Sequence, residues 1–142
     1  MSENKLFLSK FLFRPRSNSH PHTIIILIVI TAIGFYTKFY TGPGESWVNN
    51  SLGGVFYEIF WCLLFFLFFQ NTKPYTIAVS VLAATCFLEF IQLWHPGFLE
   101  FLRSNFICRT ILGTSFNLSD FIYYIIGSGI GYVLLLRFKE IQ

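Results

Sequence analysis

The sequence predicts an all-α, polytopic integral membrane protein: four transmembrane helices, with an interfacial or re-entrant helix between the third and the fourth. Of its 142 residues, 54% are hydrophobic and only 12% are charged. A typical soluble domain carries about twice that charge. The mean hydropathy is +0.60. Four apolar runs stand between turn signals, and a span needs about 20 predominantly apolar residues. A disordered chain is excluded, and a soluble globular fold is not expected.

Residues 1–22 form a basic tail with Lys5, Lys10, Arg14 and Arg16. Pro15 and Pro21 argue against a continuous helix there. A single domain, 23–138, follows, with spans near 23–40, 52–69, 75–94 and 118–136; residues 139–142 close the chain. The run from Thr23 to Tyr40 follows a basic segment, as a signal peptide would. It is long for one, no clean small-x-small site follows, and three more runs come later. A retained helix is expected. Thr41-Gly42-Pro43-Gly44 breaks it, and Asn71-Thr72-Lys73-Pro74 is a tight turn that makes the second and third helices antiparallel neighbours. His95-Pro96-Gly97 ends the third run.

Lys and Arg in short flanks set orientation. Lys5, Lys10, Arg14, Arg16, Lys73, Arg137 and Lys139 fall on one side, seven of the ten basic residues. Lys38, Arg103 and Arg109 fall on the other. Both termini are therefore expected in the cytoplasm, with Trp47 and Trp94 at the outer interface. The expected home is a bacterial cytoplasmic (inner) membrane, or a thylakoid membrane in a photosynthetic source.

Pro96 to Asn117 is long and apolar for a loop. Phe98, Leu99, Phe101, Leu102 and Phe106 recur near helical spacing, with Glu100, Arg103 and Ser104 on the other side. A helix in the outer interface fits this pattern. A re-entrant dip near 107–113 is the alternative; Arg103 and Arg109 weigh against it, since buried charge at depth costs about 2.5–3.5 kcal/mol each.

Charged residues inside spans are site candidates for the same reason. Here they are Lys38, Glu58, Glu89 and Asp120, all in the outer half. At 100° per residue, Ala78, Leu82, Thr85, Glu89 and Gln92 share one stripe. Asp120, Tyr123, Tyr124, Gly127 and Gly131 share another, and Gly54, Glu58, Trp61 and Phe65 a third. Gly127 and Gly131 form a small-xxx-small pair that lets backbones approach. A polar nest open to the outside and roofed by the loop helix is the expected arrangement.

Each candidate also has a structural reading. Asp120 follows Asn117-Leu118-Ser119 and suits a helix N-terminus. Lys38 can snorkel. Arg103 and Arg109 can meet lipid phosphate. Glu58 can reach water or pair with Lys38. Glu89 and Gln92 can hydrogen-bond to each other, or Glu89 can take a ligand or proton role.

Other chemistry is weakly signalled. Cys62, Cys86 and Cys108 are widely spaced, with no CxxC pair. His20 and His22 form an HxH pair in the tail, and His95 stands beside Trp94. No GxSxG, HExxH, P-loop or GxGxxG motif occurs. Asn49-Asn50-Ser51 and Asn117-Leu118-Ser119 match the glycosylation acceptor, which matters only in a secretory eukaryotic setting. No metal or cofactor is expected. The net charge of +3 comes without a dense basic patch, so no nucleic-acid partner is expected.

The run Glu89-Phe90-Ile91-Gln92-Leu93-Trp94, followed by Leu99, Leu102-Arg103, Leu112-Gly113, Phe116 and Asp120, resembles small bacterial four-helix membrane proteins of unknown function. These are sometimes labelled as the YjgA ribosomal-maturation family and are distantly similar to VanZ-like proteins associated with teicoplanin resistance. The resemblance covers about residues 22–138. It implies the four-helix fold and the polar cluster, and no settled activity.

The expected function is non-enzymatic: binding an amphiphile, a lipid headgroup or a lipid-linked envelope intermediate at the outer polar cluster. Glu89 and Gln92 would fix the polar group and Arg103 and Arg109 would meet phosphate. Asp120 would orient an Arg, with Glu58 nearby. The alternatives are an accessory subunit of a larger membrane complex, with a membrane-protein partner or a second copy, and a small membrane enzyme or proton-coupled carrier.

Overall fold

The computed structural model describes residues 19–113 and 116–140. The basic residues Lys5 to Arg16, which tip the charge balance between the two sides, lie outside these. Among the described residues the chain is all helix, with no strand. Four helices are long and apolar enough to cross a membrane.

Helix α1 runs Ser19–Phe39. It starts four residues before the expected boundary, because Pro21 falls in the first turn. A missing backbone N–H has no helical partner to lose there. Gly44 then takes a left-handed conformation (φ 74°), which a side chain would strain, and Glu45 N–H closes the turn on the Gly42 carbonyl at 3.0 Å.

Helix α2, Glu45–Phe68, begins seven residues earlier than the apolar run. Asn49, Asn50 and Ser51 interrupt hydropathy there but not the backbone. These residues fall within a π turn, Val48–Leu52, where Gly53 N–H reaches back to the Val48 carbonyl. Such turns are uncommon and frequent at functional sites. Helix α3, Pro74–Gln92, has its proline at the first position. The loop folds as two short helices rather than one, α4 (Gly97–Arg103) and α5 (Phe106–Leu112). Asn105 separates them because its side chain accepts the Ile107 N–H at 3.0 Å, capping α5. Helix α6 is Asp120–Glu140.

Helix α2 is central and packs on α1, α3 and α6, while α6 also packs on α3. One half of the bundle is a dry core of Ile59, Cys62, Phe66, Val81, Leu135 and Phe138. The close α2–α6 approach rests on the predicted glycines. A Cβ at Gly127 would sit 2.7 Å from the Val55 carbonyl oxygen, and one at Gly131 2.9 Å from the Cys62 side chain. Trp61 and Phe65 lie off the buried face of α2, which instead carries Val55, Glu58, Ile59, Cys62 and Phe66. A central helix with three neighbours buries more than one stripe. Outward-facing residues such as Ile25, Ile28, Ile122, Ile125 and Val133 are exposed, a surface unlike that of a soluble protein, where large apolar patches are rare.

Candidate functional site

The other half of the bundle holds the polar side chains. The π turn leaves the Asn49 carbonyl free to accept from Lys38 Nζ at 3.1 Å, tying the end of α1 to the start of α2. On α3, Thr85, Glu89 and Gln92 recur at helical spacing and are all buried, Glu89 to 1% exposure. Gln92 Nε2 lies 3.4 Å from Glu89 Oε1. From α6, the Tyr124 hydroxyl donates to the same Glu89 oxygen at 2.5 Å. Asp120 opens α6 and accepts from Asn117 Nδ2 at 3.3 Å. It is also within electrostatic reach of Lys38 and Glu89.

These groups surround a cavity of about 230 Å³, walled by α1, α2, α3 and α6, with α5 as a partial roof. Lys38, Arg109, Glu89, Gln92, Asp120 and Tyr124 supply its polar lining. Glu89 Oε2 and Gln92 Oε1 are buried from solvent, and neither has a hydrogen-bond partner among the described residues. Buried polar groups are normally satisfied, and exceptions call for a water, an ion or a ligand. The roof is held by Tyr57, whose hydroxyl donates to the Ile111 carbonyl at 3.0 Å. Gly113 ends α5 at φ 69°, and the Gln92 amide packs so closely on it that a Cβ would clash.

Of the six residues singled out from sequence, four line this cavity: Glu89, Gln92, Arg109 and Asp120. Glu58 lies outside the lining and is fully buried, with both oxygens lacking a hydrogen-bond partner. Its polar neighbour is Thr85, whose hydroxyl donates to the Val81 and Leu82 carbonyls of its own helix. Arg103 also stands outside the cavity. It turns inward with Leu99 rather than outward with Glu100, and is 5% exposed. Its guanidinium caps α3, with Nη1 3.4 Å from the Trp94 carbonyl and Nη2 3.4 Å from that of Ile91, where the helix dipole favours a cation. Nη1 also pairs with Glu100 at 2.9 Å.

His95 Nδ1 lies 2.8 Å from Glu100 and 3.1 Å from Arg103 Nη1; the tautomer decides which of the two bonds forms. The His95 hydrogen bond and then Arg103 hold the Glu100 carboxyl below the usual carboxylate range. This cluster fixes α4 to the end of α3.

Tyr124, Tyr57 and Asn50 were not singled out as site residues from sequence. For Tyr124 a signal existed: it lies four residues after Asp120 on the stripe that carries Gly127. For Asn50 there was none, because its placement depends on the π turn. Among the described residues, no group of three or more His, Cys, Asp or Glu side chains comes together to hold a metal ion.

The profile of a family described as a protein of unknown function, DUF2809, matches residues 44–128, more than half of the chain. The chain belongs to the DUF2809 family. The DUF2809 match runs from Gly44 at the entry to α2 through α3, α4 and α5 to Ser128 in α6. It therefore includes the polar lining of the cavity except Lys38, which α1 contributes. No curated protein and no solved structure matches the chain.

Proposed function

We propose that this DUF2809 protein binds the polar end of an amphiphile, a lipid headgroup or a lipid-linked envelope intermediate, in the cavity beneath α5, without turning it over. One observation carries this: a cavity lined by Lys38, Glu89, Gln92, Arg109, Asp120 and Tyr124 sits within a predominantly apolar helical bundle. The phosphate-binding role expected of both loop arginines passes to Arg109 and Lys38, because Arg103 is engaged in capping α3.

In the proposed setting the chain lies in a bacterial inner membrane with both termini in the cytoplasm and the cavity in the outer leaflet. Helices α4 and α5 lie in the outer interface, with Phe98, Phe101 and Ile107, all exposed, toward lipid. The VanZ-like labelling, distant in the family that the Glu89–Trp94 run resembles, is part of the same proposal and accords with an envelope role.

Native mass spectrometry of the full chain released from mild detergent tests the proposal. A retained lipid-sized adduct at one mass is expected. A bare monomer would overturn it, and a much larger protein assembly without lipid would favour the accessory-subunit alternative.

A further inference from the structure

A second space lies beside the polar cavity. An apolar groove of about 270 Å³ runs between α1, α2 and α5. Lys38, Gly53, Tyr57, Thr110 and Ile111 line both spaces. Beyond them the groove is walled by Ile30, Phe56, Phe60, Trp61 and Phe106. Phe106 stacks on Phe39 of α1, with ring centroids 6.3 Å apart, which ties α5 to α1 beside the groove. A polar compartment beside an apolar one matches the two ends of an amphiphile.

The cavity lining also selects among headgroups. Lys38 and Arg109 share the lining with Glu89 and Asp120; Asp120 lies within electrostatic reach of Lys38 and Glu89, and the Arg109 guanidinium lies 5.9 Å from the Phe106 ring centroid. A headgroup of one sign is repelled by one of these pairs. A phosphate joined to a primary amine satisfies both, since guanidinium and ammonium bind phosphate oxygens and an amine placed between carboxylates relieves their repulsion.

We infer that cavity and groove are the headgroup and chain compartments of one site for a zwitterionic phospholipid. Its phosphate lies on Lys38 and Arg109 and its amine faces Glu89 and Asp120. One acyl chain runs along the groove to Trp61, and the other stays in the bilayer. This inference rests on the amphiphile reading above and adds the class of ligand and its seat.

The test uses Trp61 as the reporter. Of three tryptophans, Trp47 and Trp94 are replaced by Phe in the full chain. The detergent-solubilised protein is then titrated with chain-brominated phosphatidylethanolamine. Saturable, stoichiometric quenching is expected, with unlabelled phosphatidylglycerol and soluble O-phosphoethanolamine each displacing the brominated lipid at least roughly tenfold more weakly than unlabelled phosphatidylethanolamine does.

Gly34→Leu, which fills the groove beside Phe56, should weaken the binding about tenfold. Gly34→Ala, whose Cβ meets Phe56 at an ordinary 3.5 Å, should leave it nearly unchanged. If Gly34→Leu fails to fold, Ile107→Phe blocks the groove from the exposed side of α5 and should weaken binding likewise.

Quenching that never saturates, or saturation indifferent to the block, would overturn the inference. So would equal binding of phosphatidylglycerol, and O-phosphoethanolamine as tight as the lipid would remove the chain compartment. In each of these cases an adduct retained in native mass spectrometry leaves the amphiphile reading standing, whereas absence of any adduct removes both.

Discussion

The Tyr124 hydroxyl donates to Glu89 Oε1 at 2.5 Å, joining α6 to α3 at the wall of the polar cavity. The bond leaves Glu89 Oε2 without a partner. It thus fixes the carboxyl in place. Tyr124→Phe removes the donor and leaves the ring. A loss of about 1–3 kcal/mol is expected, read as a lowered unfolding midpoint in detergent. Amphiphile binding should weaken with it, because the carboxyl loses its orientation.

Glu89→Leu should accumulate as well as the parent and lose the bound amphiphile. Glu89→Gln should retain part of it, because the amide still hydrogen-bonds but cannot ionise. Membrane yield and native mass spectrometry of both variants check this. A Glu89→Leu protein that keeps its adduct would remove the residue from the site.

Gly127 and Gly129 give a comparison within one helix. A Cβ at Gly127 would lie 2.7 Å from the Val55 carbonyl oxygen and from Glu58 Cβ, whereas one at Gly129 would meet nothing within 4 Å. Gly127→Ala should destabilise by about 1–3 kcal/mol through overpacking. Gly129→Ala should be neutral or slightly stabilising. Thermal unfolding of the two purified variants separates them.

The attachment of α4 should weaken only in acid. The Glu100 carboxyl is held below its ordinary value of 4.5 by His95 and Arg103. Its contribution is therefore complete above that value and is lost as pH falls through the lower, folded value. Hydrogen-exchange protection in α4, corrected for the intrinsic pH dependence of exchange, should stay flat from neutral pH down to the ordinary carboxylate range and fall below it. Glu100→Gln should exchange faster at neutral pH and show no such transition.

An impermeant thiol reagent applied to intact cells should fail to label a cysteine placed at position 139. The Lys139 ammonium contacts the Thr72 carbonyl of the α2–α3 turn at 3.4 Å, so a cysteine at position 73 should be equally protected. Labelling of either from outside would reverse the proposed orientation.

The sequence by itself determined the four helices and the half of the bundle in which the polar residues gather. Span length and the cost of charge in lipid are local properties, readable from any window of 20 residues. It also determined the α3 stripe and the Gly127–Gly131 contact, since both follow from helical period alone.

Three things were decided only by the tertiary structure. Helix α2 starts at Glu45 because a π turn carries the polar Asn49–Ser51 run through the helix, and hydropathy does not encode that geometry. Arg103 turns inward because the free carbonyls at the end of α3 lie within its reach. Spacing within α4 places the arginine opposite the phenylalanines, but the partner that draws it comes from another helix. Tyr124, Lys38 and Arg109 meet Glu89 around one cavity because α6, α1 and α5 converge on α3. That convergence is a property of how helices pack, and no single helix carries it.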